Sequence, residues 1–405
     1  MLNVAPKHLA HCFLAFCLFF ASIFTPPAAA FEQDVSFPDI GSHAAVLMEF
    51  SRGQIIFSQN GSEPLYPASL TKIMTLLLCH EALSTGRVAL EEEVVISEKA
   101  HQTGGSQMFL EAGQRVPFGV LLNGIATISA NDACVAVAEH LYGSEALFVN
   151  EMNKKAAELD LENTRFQNTS GLHDPEHYSS AEDIARLSHY LISNFPEALQ
   201  YHSQIEFTFN DITQNNRNPL LGRYTGADGL KTGHTTAAGY CLVATASQKG
   251  MRFITVTMNG KRNLERLKDT ETMLNYAFRN YILQKAISAG EPAAAVEVSG
   301  GEERRVQLRA AESVEVVIPF DRQEELEVRI EAPESIEAPV EKETALGKVE
   351  VLLDGKVLQE TPLLAASEVN RAGAVSLFFR SVKDFLAGLW QRITETIGDL
   401  LPGSS

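Results

Sequence analysis

Two short apolar runs, residues 44–50 and 53–58, meet across Ser51-Arg52-Gly53, and this pattern predicts a β-hairpin. A helix is predicted to begin at Pro67 or Ala68, because proline is tolerated in a first helical turn and nothing breaks the apolar pattern before Glu81. Three- and four-residue spacing predicts further helices over 118–128, 131–142, 145–159, 181–194 and 263–283. Residues 204–209, 228–232, 240–247 and 251–259 read as strands, the last two joined at Lys249-Gly250. Two early strands, a helical block, then late strands and a closing helix imply an α/β (α+β) domain. Its sheet should be mainly antiparallel and flanked by helices.

The texture changes after residue 285. Ala289-Gly290-Glu291-Pro292 reads as a linker, and beyond it VEVS, RRVQLRA, VEVVIP, LEVRIEA and KVEVLLDGKVLQE alternate with a period of two. With the Asp354-Gly355 turn, this predicts a small all-β domain whose many glutamates mark a solvated face. From Val375 to Leu401 the period returns to three and four, with Phe378, Phe379, Phe385, Trp390 and Ile397 among the apolar positions. Arg380, Lys383, Asp384, Arg392, Glu395 and Asp399 recur between them, too often for a membrane span. The wide aromatic face suits a helix lying in a membrane interface.

Composition narrows the setting. The chain has 405 residues, 45% hydrophobic and 21% charged, which is ordinary for a globular protein of two or three domains. A formal charge of −18 with no basic cluster argues against nucleic acid as a partner. Within residues 1–30, Lys7 is the only charged residue, an apolar run extends from Cys12 to Phe24, and Ala28-Ala29-Ala30 offers a cleavage site. The expected division is a signal peptide over 1–30, a catalytic domain over 31–285, a β domain over 286–372 and an amphipathic helix over 373–405. An exported mature chain then retains Cys79, Cys134 and Cys241, widely spaced and apolar in context, which read as buried hydrophobes and not as a disulfide framework. The histidines are scattered and no glycine loop suited to phosphate is present, so no metal or nucleotide cofactor is implied.

The chemistry begins at PASLTKIMTLLL. Ser69 and Lys72 stand one helical turn apart, so a hydroxyl nucleophile and an amine base share a face. Burial against Ile73, Leu76 and Leu77 lowers a lysine pKa, because desolvation disfavours the ammonium. Taken alone, the spacing more often marks a helix cap beside a snorkelling lysine. Ser129-Ala130-Asn131 falls at a break between helices, where Ser129 can relay a proton and Asn131 can orient the lysine and a substrate, or where both simply cap a helix. Lys231-Thr232-Gly233 ends a strand before His234, placing a cation and a hydroxyl where a carboxylate can bind and a glycine where another backbone can approach.

The ordered set S-x-x-K, S-x-N, K-T-G resembles that of the penicillin-binding proteins and class A β-lactamases. YPASLTKIMT, GSQMFLEAG, ISANDACVAVAEHL, NTSGLHDPEHYSSAEDIARL, NNRNPLL and DGLKTGHTTAAGYCLVATA resemble stretches of the low-molecular-mass penicillin-binding proteins of the D-alanyl-D-alanine carboxypeptidase type. The likeness runs from about residue 42 to 283, and the β domain and terminal helix match that family's tail. The resemblance implies a serine β-lactamase/DD-peptidase-like fold and an acyl-enzyme mechanism on peptidoglycan stem peptides ending in D-Ala-D-Ala, with acylation by β-lactams. It assigns Ser69 as nucleophile, Lys72 as its base, and the backbone N–H groups of Ser69 and His234 as the oxyanion hole. Ser129 and Lys231 would return a proton to the leaving D-alanine, with Asn131, Thr232, Gly233 and Arg217 binding substrate. Asp183 and Arg266 match supporting positions. The enzyme would work outside the cytoplasmic membrane, held at its outer surface by the terminal helix.

One departure is visible: Ala130 stands where the family usually has glycine. Its methyl group is small enough for activity to survive, with loop geometry and deacylation open to change. The alternatives are a D,D-endopeptidase or a β-lactamase of the same fold, and a non-catalytic wall-binding scaffold. The tail fits the first two poorly, and the intact Ser69, Lys72 and Lys231 disfavour the third.

Overall fold

The computed structural model describes residues 37–375, 378, 382–383, 385–390 and 392–393. The expected signal segment 1–30 and Phe379, Ile397, Leu400 and Leu401 lie outside the described residues.

The central sheet comprises β1 (Ala44–Glu49), β2 (Gln54–Gln59), β3 (Ala227–Thr235), β4 (Gly239–Gln248) and β5 (Met251–Gly260) in the order β2-β1-β5-β4-β3. All its pairings are antiparallel, with Val46 opposite Val256 and Gly233 opposite Cys241. The predicted hairpin is present, its turn fixed by the Glu49 carboxylate, which accepts the N–H groups of Ser51 and Arg52 at 2.6 and 3.2 Å. Strand β3 forms the sheet edge opposite β2, which leaves one side of its backbone without a strand neighbour.

Among the described residues, six long helices accompany the sheet: α1 (Lys72–Ser84), α2 (Phe118–Ile128), α3 (Asn131–Tyr142), α4 (Glu145–Glu158), α5 (Ala181–Asn194) and α6 (Asn263–Asn280). Helix α1 is apolar around nearly its whole circumference because it lies between two cores. Ile73 and Leu77 join Val46, Ile184 and Val256 against the sheet, while Leu76 and Cys79 join Leu121, Ile125 and Cys134 from α2 and α3. Helix α6 covers the opposite face, packing Leu267 on Leu242 and Ala244. Cys79, Cys134 and Cys241 are free and buried, as their apolar contexts suggested.

Three local expectations change. The helix expected at Pro67 or Ala68 opens with a 3-10 turn, Ala68–Thr71, and becomes α-helical at Lys72. The closing helix stops at Asn280, whose side chain donates back to the Tyr276 carbonyl at 2.8 Å, and the chain turns extended at Tyr281. Residues Tyr281–Ile287 are strand β6, which pairs with β9 (Val314–Pro319), so Ala289–Pro292 is a tight turn inside the β-rich region and not a linker. That turn leads into β7 (Pro292–Ser299), which pairs with β8 (Arg305–Ala310). These two join β10 (Glu327–Glu331), β11 (Ser335–Glu337), β12 (Ala345–Leu353) and β13 (Lys356–Ala365) in a six-stranded sheet around Val306, Leu308, Val316, Val349 and Leu363. A short helix follows over the described residues of the carboxyl end.

Candidate active site

Local backbone demands bring the three sequence motifs together. In the 3-10 turn, residues three apart eclipse one another, so Ser69 and Lys72 superpose more closely than on an α-helix. Lys72 is fully buried and its Nζ donates to Ser69 Oγ at 3.0 Å and to the Ser170 carbonyl at 2.6 Å. Burial pushes its pKa down to about 8; Cys134 and Asp132 oppose that shift and Arg217 reinforces it.

Ser129 closes α2 in the left-handed region at φ 67°, an uncommon state for a residue with a side chain. Its Oγ is buried with no hydrogen-bond partner among the described residues, a donor and acceptor held ready beside Ser69. Ala130 takes φ −60° and ψ 117°, a conformation open to any residue, so the backbone here does not require the family's glycine. Asn131 opens α3 and donates through Nδ2 to the Gly104 carbonyl at 2.7 Å. Next to it, the buried Asp132 carboxylate accepts the N–H groups of Met108 and Leu110, pinning the 104–110 loop over the cleft.

Lys231, Thr232 and Gly233 lie on edge strand β3. A Cβ on Gly233 would stand 2.9 Å from the Pro67 carbonyl and 3.3 Å from the Ser69 nitrogen, so glycine permits the strand to touch the nucleophile's turn. Lys231 is buried, its Nζ donating to the Thr232 carbonyl at 3.0 Å. Its pKa falls well below the usual lysine range, through burial first and then through Lys72 and Arg217. His234 packs at a tilt against Tyr240 with ring centroids 4.2 Å apart, and both line the cleft wall.

Ser69, Ser129, Arg217, Thr232, Gly233, His234 and Arg266 line one cleft of about 330 Å³ with Ser106, Tyr240 and Asn263. No carboxylate lines it among the described residues. With Arg217 and Arg266 in its lining, the cleft favours an anionic ligand end. Arg217 is exposed and makes no hydrogen bond or ion pair with the described residues. Asp183 lies off the cleft on α5, where it accepts from the Asn163 N–H and Thr164 Oγ1 at 2.8 and 2.7 Å. Sequence reasoning did not single out Ser170, whose carbonyl holds Lys72, or Asp132. The turn-forming Asn168-Thr169-Ser170-Gly171 was the available signal for the first.

Comparison with known proteins gives the family. Residues 31–262 match the D-alanyl-D-alanine carboxypeptidase model of the S11 peptidases, and residues 281–371 match the C-terminal domain of penicillin-binding protein 5. The chain is 36% identical to D-alanyl-D-alanine carboxypeptidase DacF of Bacillus subtilis, over 89% of this chain and 95% of that one. It is likewise 36% identical to DacC of Escherichia coli, covering 91% and 93%. Among solved structures, penicillin-binding protein 5 of Haemophilus influenzae superposes with a TM-score of 0.71 at 36% identity, spanning 83% of this chain and 99% of that one. The chain therefore belongs to the D-alanyl-D-alanine carboxypeptidase family of S11 peptidases, and it is a serine hydrolase of the low-molecular-mass penicillin-binding type.

Proposed function

We propose that Ser69 Oγ attacks the carbonyl of the penultimate D-alanine in a peptidoglycan stem peptide, Lys72 Nζ accepting the hydroxyl proton. The single observation that carries this reading is the 3.0 Å contact between Lys72 Nζ and Ser69 Oγ, made by an amine whose pKa is lowered to about 8. A base titrating there is partly neutral at physiological pH, as proton abstraction requires. The tetrahedral oxyanion is held by the N–H groups of Ser69 and His234. Arg217 and Thr232 take the terminal carboxylate, beside Gly233, while Asn131 orients the peptide. As the scissile C–N bond breaks, the departing nitrogen receives a proton through Ser129 and Lys231, and D-alanine leaves. Water then hydrolyses the Ser69 ester, restoring the hydroxyl and releasing the shortened stem. A β-lactam enters by the same attack on its ring carbonyl. Asp183 and Arg266 act as supports for the surrounding backbone.

The cleft's lack of a lining carboxylate supports a carboxypeptidase over a class A β-lactamase, which uses an additional glutamate for deacylation. Domain division follows the same reading, with the boundary expected at 285 moved to Tyr281 because strand β6 pairs with Val314–Pro319: a cleaved signal over 1–30, a catalytic domain from 31 to Asn280, a β domain from Tyr281 to 372 and a membrane-lying helix over 373–405. Exposure of Val375, Phe385, Leu386, Leu389 and Ile393 supports that last role, at the outer face of the cytoplasmic membrane. No helix among the described residues is long and apolar enough to cross a membrane.

The test is D-alanine release from a pentapeptide ending in D-Ala-D-Ala, run beside labelling by a fluorescent penicillin. We expect release and stoichiometric labelling, both lost in a folded Ser69→Ala variant. Labelling that persists at another residue would remove the mechanism, and labelling without release would move the assignment toward an endopeptidase.

A further inference from the structure

The Ser170 carbonyl is the second acceptor on Lys72, and its position is set from outside the cleft. Asn168 Oδ1 accepts the N–H groups of Ser170, Gly171 and Leu172 at 3.2, 2.7 and 3.1 Å, folding the segment into a tight side-chain-capped turn. The tether to the rest of the domain is Glu145, the first residue of α4. Its Oε1 accepts both the N–H and the Oγ1 of Thr169, at 3.2 and 2.9 Å, and its Oε2 lies 2.7 Å from Lys99 Nζ. The Thr169 carbonyl in turn accepts Thr75 Oγ1 from α1 at 2.6 Å. Glu145, Lys99, Asn168 and Ser170 border a second cleft of about 540 Å³ that also reaches Gly104, the acceptor of Asn131. An acidic residue at a helix start ordinarily serves the helix dipole. The carboxylate of Glu145 instead spends its hydrogen bonds on Thr169 and Lys99.

We propose that Glu145 is a positioning residue of the active site: braced by Lys99, it fixes Thr169 and thereby holds the Ser170 carbonyl on Lys72 Nζ, keeping the amine aimed at Ser69. This rests on the reading of Lys72 as the base. The other charged or titratable groups acting on Lys72 are Arg217, Asp132 and Cys134, with Lys231 and His177 in mutual range. Cys134 lies within electrostatic range of Glu145, but none of these groups shares its contacts with Thr169 and Lys99. A carbonyl acceptor stabilises the ammonium over the amine, so loosening it lowers the Lys72 pKa further and frees the side chain to leave Ser69.

The pH dependence of penicillin acylation in the full chain reads both effects. In Glu145→Gln and in the near-isosteric Thr169→Val, the ascending limb should move to lower pH and the plateau rate should fall about tenfold, a cost typical of a misplaced catalytic group. Glu151→Gln, which removes a charge from the same helix, should leave limb and plateau unchanged. If the folded Glu145 and Thr169 variants trace the parent profile, or lose rate equally at every pH with the limb unmoved, the positioning role is overturned. Acylation that survives Lys72→Arg would instead remove the base assignment itself, a separate failure.

Discussion

Arg266 donates through one nitrogen, Nη1, to the Gly233 carbonyl at 2.9 Å and to the Cys241 carbonyl at 2.6 Å, tying α6 to the pair of strands that carries Lys231 and Thr232. Its Nε is engaged by Asn263 Oδ1 at 2.9 Å, so the guanidinium is held flat between helix and sheet. A lysine has one compact ammonium and cannot reproduce that fork. Arg266→Lys should therefore leave buried carbonyls underbonded, at a cost of roughly 1–3 kcal/mol. It should also loosen Gly233 against Ser69, slowing penicillin acylation about tenfold. Thermal melting and the labelling rate, measured together, check both; a variant that melts and labels like the parent would show that the tie is dispensable.

Gly171 follows the carbonyl that holds Lys72, and it has φ +82°. A Cβ there would stand 1.8 Å from the Ala68 carbonyl oxygen, an overlap that only backbone movement relieves. Gly290 shares the conformation at φ +76° but has open space around it. Gly290→Ala should cost about 1 kcal/mol, the strain of the left-handed region alone. Gly171→Ala should cost about 2–3 kcal/mol more through overpacking and should depress acylation in the fraction that folds. The difference between the two variants in denaturant midpoint, at equal slope, isolates the crowding term.

The course of most elements was legible because each long helix and central strand carries its own period and punctuation. Helices Phe118–Ile128, Asn131–Tyr142 and Ala181–Asn194 occur where spacing placed them. The grouping of Ser69, Ser129 and His234 was legible from motif order and resemblance, and they line one cleft, with Lys231 buried on the strand that carries Thr232 and His234. What escaped was carried by backbone or by distance. Ser170 acts on Lys72 through a carbonyl, which leaves no mark in a side-chain pattern. The 3-10 opening at Ala68–Thr71 is set by Gly171 and Gly233 pressing on it, residues about 100 and 165 positions away. Tyr281–Leu283 continued a helical pattern, but Val314–Pro319, far along the chain, pairs with Tyr281–Ile287 and makes it a strand.

The carboxyl-terminal helix offers a test that separates apolar from electrostatic membrane binding. Over 373–405 the basic residues Arg380, Lys383 and Arg392 are matched by Asp384, Glu395 and Asp399, so the segment is formally neutral. Its exposed Val375, Phe385, Leu386, Leu389 and Ile393 are what can enter a lipid interface. The full chain should sediment with vesicles, and neutral and anionic vesicles should capture it nearly equally. High salt should not release it, since screening weakens only the charged contribution. A chain ending at Ala372 should stay in the supernatant. Equal sedimentation of the truncated chain would place anchoring elsewhere.

The buried amine that serves the proposed chemistry should weaken the fold. Lys72 titrates near 10.5 when unfolded and at about 8 when folded, so between these values the unfolded chain holds a proton that the folded one has lost. Stability from this group therefore rises with pH across that window; it is fully present above about 10.5 and is lost as pH falls through about 8. The full difference is on the order of 3 kcal/mol. Lys72→Met has a similar length and no charge, so it removes this pH dependence while leaving the Ser170 carbonyl without its donor. At pH 7 the variant should melt above the parent and be inert toward penicillin. The gap should shrink as pH rises from 8 to 10.5, because discharging the parent's lysine on folding costs less as pH approaches its unfolded value. Melting curves of parent and variant at pH 7, 8.5 and 10 check this, their difference cancelling other titrating groups. A gap independent of pH would mean that Lys72 folds without losing its proton, and the base would then have to be sought in Lys231.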